Sequence, residues 1–199
     1  EYVRGQPLDA LPLPLPGEQV LRVALGLSRG LAAAHRHGVL HRDIKPANVI
    51  LTQDGDCKLL DFGLAKLVED GADRVSGGLA AAGQDLAVTQ AGALVGTPCY
   101  MAPEVFAGAP ATPRSDVFSL GALLFELCTG RRFFLVRSVR ELTTAHEHEA
   151  PALGALAPTL APALAAIITR CLCRDSAARY ASAVEVCGAL ELLSQPGQI

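Results

Sequence analysis

Apolar residues recur at three-to-four spacing across residues 18–37, at Val20, Ala24, Leu27, Leu31 and Ala34. That period predicts a helix with one face in a core. Gly38 suits its C-terminal cap, and His35 and His37 meet the helix dipole in the last turn without a catalytic role. The pattern then changes. Two short apolar runs, Val49-Ile50-Leu51 and Cys57-Lys58-Leu59-Leu60, flank Asp54-Gly55, a strong signal for a tight hairpin. Across residues 114–130, Val117, Phe118, Leu120, Leu123, Leu124, Phe125 and Leu127 wrap most of a helical circumference, so this helix is expected to be buried on all sides, with Gly130 as its cap. A short charged helix over 138–148 follows. Pro151, Pro158 and Pro162 break the next stretch before amphipathic helices over Leu164–Cys173 and Ala183–Leu193. Leu11-Pro12-Leu13-Pro14-Leu15-Pro16 cannot be helical and reads as a linker after a turn around Pro7–Leu11. Apart from the one hairpin, the chain reads as helical.

Composition narrows the class. The 199 residues are half hydrophobic and 19% charged, which suits one globular domain with a sizeable core. A net charge of −3 and the lack of a basic run give no reason to expect nucleic acid or an anionic membrane as partner. No apolar run reaches the roughly 18 residues that span a bilayer, so no membrane contact is expected from this segment. The six cysteines lack metal-finger spacing and are read as reduced thiols of a cytoplasmic protein. The opening residues read like mid-domain sequence, which suggests a piece of something longer.

The candidate chemistry sits at residues 41–63. His41-Arg42-Asp43-Ile44-Lys45-Pro46-Ala47-Asn48 precedes the first predicted strand, and Asp61-Phe62-Gly63 follows the second. A hairpin between them would bring Asp43, Asn48 and Asp61 to one open end, with Lys45 beside them. These groups suit metal and proton work. Alone, each aspartate would more often be a turn or cap residue.

The two stretches resemble the catalytic loop and magnesium loop of eukaryotic-type serine/threonine protein kinases, as found in bacteria. A third, Gly96-Thr97-Pro98-Cys99-Tyr100-Met101-Ala102-Pro103-Glu104, resembles the segment that closes the activation loop. The resemblance implies Asp43 as base for a substrate hydroxyl and Lys45 as a charge on the γ-phosphate. It implies Asn48 and Asp61 as holders of Mg2+, with ATP as co-substrate. Thr97 would hydrogen-bond Asp43 and Lys45. Ile50 fits either the floor beneath adenine or an ordinary strand core. Glu1 and Val3 match the hinge whose backbone pairs with adenine, or else form an ordinary terminus. Arg42 would pair with a phosphate on Thr89, with Ser76 the weaker acceptor. Glu104 would ion-pair with Arg179. Asp116 would accept backbone N–H bonds from the catalytic loop, or simply serve its own helix N-terminus.

The resemblance covers only the family's C-terminal lobe, a mainly α unit with a small active-site hairpin. It places a hinge at 1–5, the lobe at 6–193 and an activation loop at about 64–98. Half of residues 71–94 are Gly or Ala, so that loop is expected to be mobile. The family's glycine-rich loop, its strand lysine and the paired glutamate have no counterpart in these residues. This segment alone is therefore expected to be inactive. Protein substrates bearing Ser or Thr, and a homodimer for phosphorylation in trans, are the implied partners. The alternative is a kinase-like scaffold without catalysis.

Overall fold

The computed structural model describes residues 4–62, 87–88, 94–95, 98–134, 139–146 and 153–194. Among them, helices dominate. α1 (Gly17–Arg36), α3 (Pro113–Thr129), α6 (Pro162–Cys171) and α7 (Ala183–Leu193) pack on one another, and α2 (Pro103–Phe106), α4 (Val139–His146) and α5 (Leu153–Leu156) are shorter.

α3 is the central beam. Its residues from Ser115 to Phe125 are all buried, as the apolar wrap requires. Pro113 occupies the first turn, where its missing N–H costs nothing, and Ser115 Oγ accepts from the Thr112 N–H at 2.8 Å. α3 approaches α6 closely: a Cβ on Gly121 would lie 2.7 Å from the Cys171 Cβ, so only glycine fits there. α1 presents Val20, Val23, Ala24, Leu27 and Leu31 to the core. The proline-rich linker is tied down rather than loose. Leu15 is buried and its N–H donates to the Leu127 carbonyl at 2.7 Å.

The predicted hairpin forms, as β2 (Val49–Thr52) and β3 (Cys57–Leu59), with Gly55 at φ +86° in the turn. Two features correct the expectation that the chain is otherwise helical. β1 (Gly5–Pro7) pairs antiparallel with β2 to make a three-stranded sheet in the order β1-β2-β3. A second ladder joins β4 (Ala87–Val88) to β5 (Leu94–Val95). Gly-Gln-Pro has no strand propensity of its own; pairing with β2 imposes the conformation. α6 also starts two residues before the expected Leu164, because Pro162 opens the helix instead of ending the preceding stretch.

All six cysteines are free thiols. Burial pushes Cys57 up to about 11 and Cys128 and Cys171 up to about 12, so none of these three is a thiolate at neutral pH. Among the described residues, no helix is long and apolar enough to cross a membrane.

Candidate active site

The register of β2 and β3 fixes the site. Val49 pairs with Leu59, and beyond that pair the Leu60 N–H donates to the Asn48 carbonyl at 2.9 Å. Asn48 and Asp61 therefore leave the sheet at the same end. Pro46–Asn48 forms one tight turn, which brings Asn48 back beneath Asp43. The Asn48 amide Nδ2 donates to both the Asp43 carbonyl (2.9 Å) and Asp43 Oδ2 (2.8 Å). Lys45 Nζ donates to the same Oδ2 at 2.6 Å. Three of the four residues singled out for catalysis are thus in direct contact.

Among the described residues, both side-chain bonds to the Asp43 carboxylate land on Oδ2, and none lands on Oδ1. Asn48 donates through its nitrogen, so the described bonds do not engage its amide oxygen. Asp61 is exposed, at a left-handed φ of +54° that aspartate tolerates better than most residues. Ile50, in the middle of β2, is half-buried opposite Lys58 and Pro7. Among the described residues, no cluster of three or more His, Cys, Asp or Glu side chains is arranged around a metal position. A single carboxylate with a neighbouring amide oxygen fits a different binding mode. Mg2+ keeps much of its water and accepts one or two protein oxygens together with phosphate oxygens.

The loop bearing Asp43 is held from below. Asp116, on α3, accepts from the backbone N–H of His41 at 2.8 Å and of Arg42 at 2.9 Å. Arg42 sits at φ +68°, a conformation that costs a non-glycine residue about 1–3 kcal/mol and needs outside support. The Asp116 carboxylate supplies that support.

Two histidines complete the frame, and sequence reasoning undervalued both. His41 is fully buried: Nε2 donates to the Leu60 carbonyl (2.9 Å), and Nδ1 accepts from the Asp43 N–H (3.3 Å). Its ring lies 4.7 Å from that of Phe62. One imidazole therefore touches the residues on both sides of Asp61 as well as the Asp43 backbone, and so joins the two halves of the site. Burial lowers its pKa, against the opposing pull of Asp116 and the Leu60 carbonyl. His35 was expected to do no more than meet the helix dipole. Instead its side chain is buried, with Nε2 donating to Asp116 Oδ2 at 3.0 Å and Nδ1 accepting from the Ala183 N–H at 3.3 Å. Asp116 needs a third donor because its carboxylate is buried, and α1 supplies it. No local signal marks such a role, since the partners lie far apart in sequence.

Glu104, on α2, meets Arg179, in the segment before α7. Arg179 donates bidentately to Glu104 at 2.7 and 2.9 Å. Its remaining N–H groups reach the carbonyls of Cys173, Arg114 and Arg174, and its guanidinium carbon lies 4.8 Å from the Phe118 ring centre. Glu1, Val3, Gly63, Ser76, Thr89 and Thr97, with nearly all of the expected activation loop, lie outside the described residues.

The model of the protein kinase domain matches residues 1–193. A probable serine/threonine-protein kinase of Streptomyces coelicolor is 36% identical over 190 residues, covering 94% of this chain and 26% of the relative. The serine/threonine-protein kinase PknL of Mycobacterium tuberculosis is 36% identical over 201 residues, covering 98% and 46%. A serine/threonine-protein kinase of Myxococcus xanthus is 38% identical over 199 residues, covering 96% and 22%. The chain thus spans less than half the length of these relatives.

Proposed function

Because the chain belongs to the protein kinase domain family, we propose that it is the C-terminal lobe of a bacterial serine/threonine kinase that moves the γ-phosphate of ATP onto Ser or Thr hydroxyls of proteins. The observation that carries this reading is the triangle of Asp43, Lys45 and Asn48 at the open end of the hairpin. The Asp43 carboxylate receives the hydroxyl proton and aligns the attacking oxygen. Lys45, already beside Asp43, contributes positive charge where the transferred group gathers negative charge. The Asn48 amide oxygen and the Asp61 carboxylate would hold Mg2+. When bound, Mg2+ and the nucleotide supply the phosphoryl group and neutralise its charge. Ile50 lies on the sheet that would underlie the adenine, with the backbone of Glu1 and Val3 at its edge.

Thr97 is assigned to steady Asp43 and Lys45. Arg42 is assigned to receive a phosphate on Thr89 after phosphorylation by a second copy. The experiment is transfer of labelled γ-phosphate to a Ser/Thr protein by the longest natural chain that carries this domain, beside its Asp43→Asn variant. Mg2+-dependent labelling lost in the variant is expected. Equal labelling with and without Asp43 would contradict the assignment, and no labelling by either would favour the scaffold reading.

A further inference from the structure

Four of the ten residues 131–140 are arginine and none is acidic, in a chain whose net charge is −3. The first two, Arg131 and Arg132, sit just past the end of α3 and are exposed. Residues 130–134 are held by their neighbours. Gly130 takes the left-handed turn at φ +69° that ends the helix. Thr129 Oγ1 accepts from the Arg131 N–H at 3.1 Å. The Phe133 ring packs edge-on against Phe118 and Phe125, with centroids 5.9 and 5.2 Å away, and Phe134 is buried.

The backing of this loop is also fixed. Arg132 Nε lies 4.0 Å from Glu126 Oε1, and the Tyr100 hydroxyl donates to the other oxygen of the same carboxylate. Glu126 is therefore already satisfied from two sides and is largely buried, whereas the arginines face water. Glu126 balances one of the two positive charges and leaves the other. Among the described residues, Arg131 has no ion-pair partner.

The position matters because of what lies at the other end of α3. Asp116 holds the catalytic loop at the start of the helix, and Glu126 stands ten residues further along. At 1.5 Å per residue that is about 15 Å. An extended peptide covers about 3.3 Å per residue, so this span is about five peptide residues. Tyr100, which touches Glu126, belongs to the short turn that leads into Ala102-Pro103-Glu104.

We propose that Arg131 and Arg132 select protein substrates carrying an Asp or Glu side chain within about five residues of the phosphorylated hydroxyl. This inference deepens the kinase reading and rests on it. Arginine suits the task, because its planar fork pairs bidentately with a carboxylate and its position here is set in advance. The pairs would be solvent-exposed, so the preference should weaken as salt rises.

The test uses the longest natural chain carrying this domain and a peptide array in which Asp, Ala or Arg occupies each position from five before to five after a central Ser. The readout is the ratio of kcat/KM for the acidic peptide to that for the alanine peptide. The wild-type protein is expected to show a ratio of about ten or more at one or two positions. Arg131→Glu, at an exposed residue, should bring that ratio to about one or below, and the Arg131→Glu/Arg132→Glu pair should favour arginine peptides. Arg36→Glu, an exposed arginine on α1, should keep the wild-type ratio. A wild-type protein indifferent to acidic residues, or a preference unchanged in Arg131→Glu, would overturn the inference while leaving the kinase reading intact. Failure to phosphorylate any peptide would overturn both.

Discussion

Two carboxylate–cation pairs in this chain have almost the same length and opposite characters. Lys45–Asp43 is 2.6 Å long, with side chains 25% and 41% exposed; Arg179–Glu104 is 2.7 Å, with the arginine side chain fully buried. Every N–H of Arg179 has an acceptor, so the guanidinium can do nothing further. Asp43 keeps an oxygen in reserve. A saturated pair holds elements together, here α2 against the loop before α7. A pair whose carboxylate keeps one oxygen unfilled among the described residues is open in the sense that this oxygen can accept a further donor. The distance alone would not have distinguished them; the number of satisfied donors and acceptors does.

That contrast can be broken by exchanging the readouts. The largest effect should come from Asp43→Asn in the longest natural chain. Loss of the proposed base should cut phosphate transfer by about 10²–10⁴-fold, while the unfolding free energy moves by less than about 1 kcal/mol because the pair is partly exposed. Arg179→Met should do the reverse in kind. It leaves the Glu104 carboxylate without its partner and should cost about 3–5 kcal/mol of stability in urea denaturation. If Arg179→Met unfolds at the wild-type midpoint, the saturated pair is not structural.

A smaller effect tests the support beneath the open pair. His35→Leu removes one of three donors to Asp116 and the acceptor for the Ala183 N–H. About 1–3 kcal/mol should be lost, and transfer should fall with it, since Asp116 holds the backbone of residues 41 and 42. A stability loss with transfer intact would show that His35 serves only the packing of α1 and α7.

The smallest effect is on pH dependence. Burial lowers the His41 pKa below its ordinary 6.5, so as pH falls through 6.5 the unfolded chain takes up this proton first. Stability from His41 is therefore complete above 6.5, declines as pH falls towards the lower folded value, and declines no further below it. The slope from this one group is at most about 1.4 kcal/mol per pH unit. Denaturation of wild type and His41→Phe between pH 5 and 8 should show the steeper fall in the wild type.

Local chemistry was legible in the residues themselves; of the distant partnerships, the family resemblance supplied Glu104 with Arg179 and Asp116 with the catalytic loop, while that of His35 with Asp116 was not legible. Asp43, Lys45 and Asn48 lie within six consecutive residues, so a turn and a strand suffice to place them, and Asp54-Gly55 announced the hairpin that brings Asp61 to the same end. The all-round apolar pattern of α3 was equally direct. β1 was missed because Gly5-Gln6-Pro7 resembles no strand until β2 is present. A Cβ at position 5 would lie 2.5 Å from the Ile50 Cγ2, so the residue type that hides the strand is the one its pairing requires. His35 was misjudged because its partners are 81 and 148 positions away. Periodicity identified the helix it ends but could not show which groups would meet there.

The central claim is that residues 43, 45, 48 and 61 serve one magnesium–nucleotide position at the hairpin's open end. Paramagnetic broadening of backbone amide resonances by Mn2+·ATP tests this without requiring turnover. The account predicts broadening of residues 43–45, 47, 48 and 60–62 together, along a single titration curve, with residues 104 and 179 unaffected and the whole response weakened in Asp61→Asn. Broadening of one segment without the other, or a response indifferent to Asp61→Asn, would contradict it.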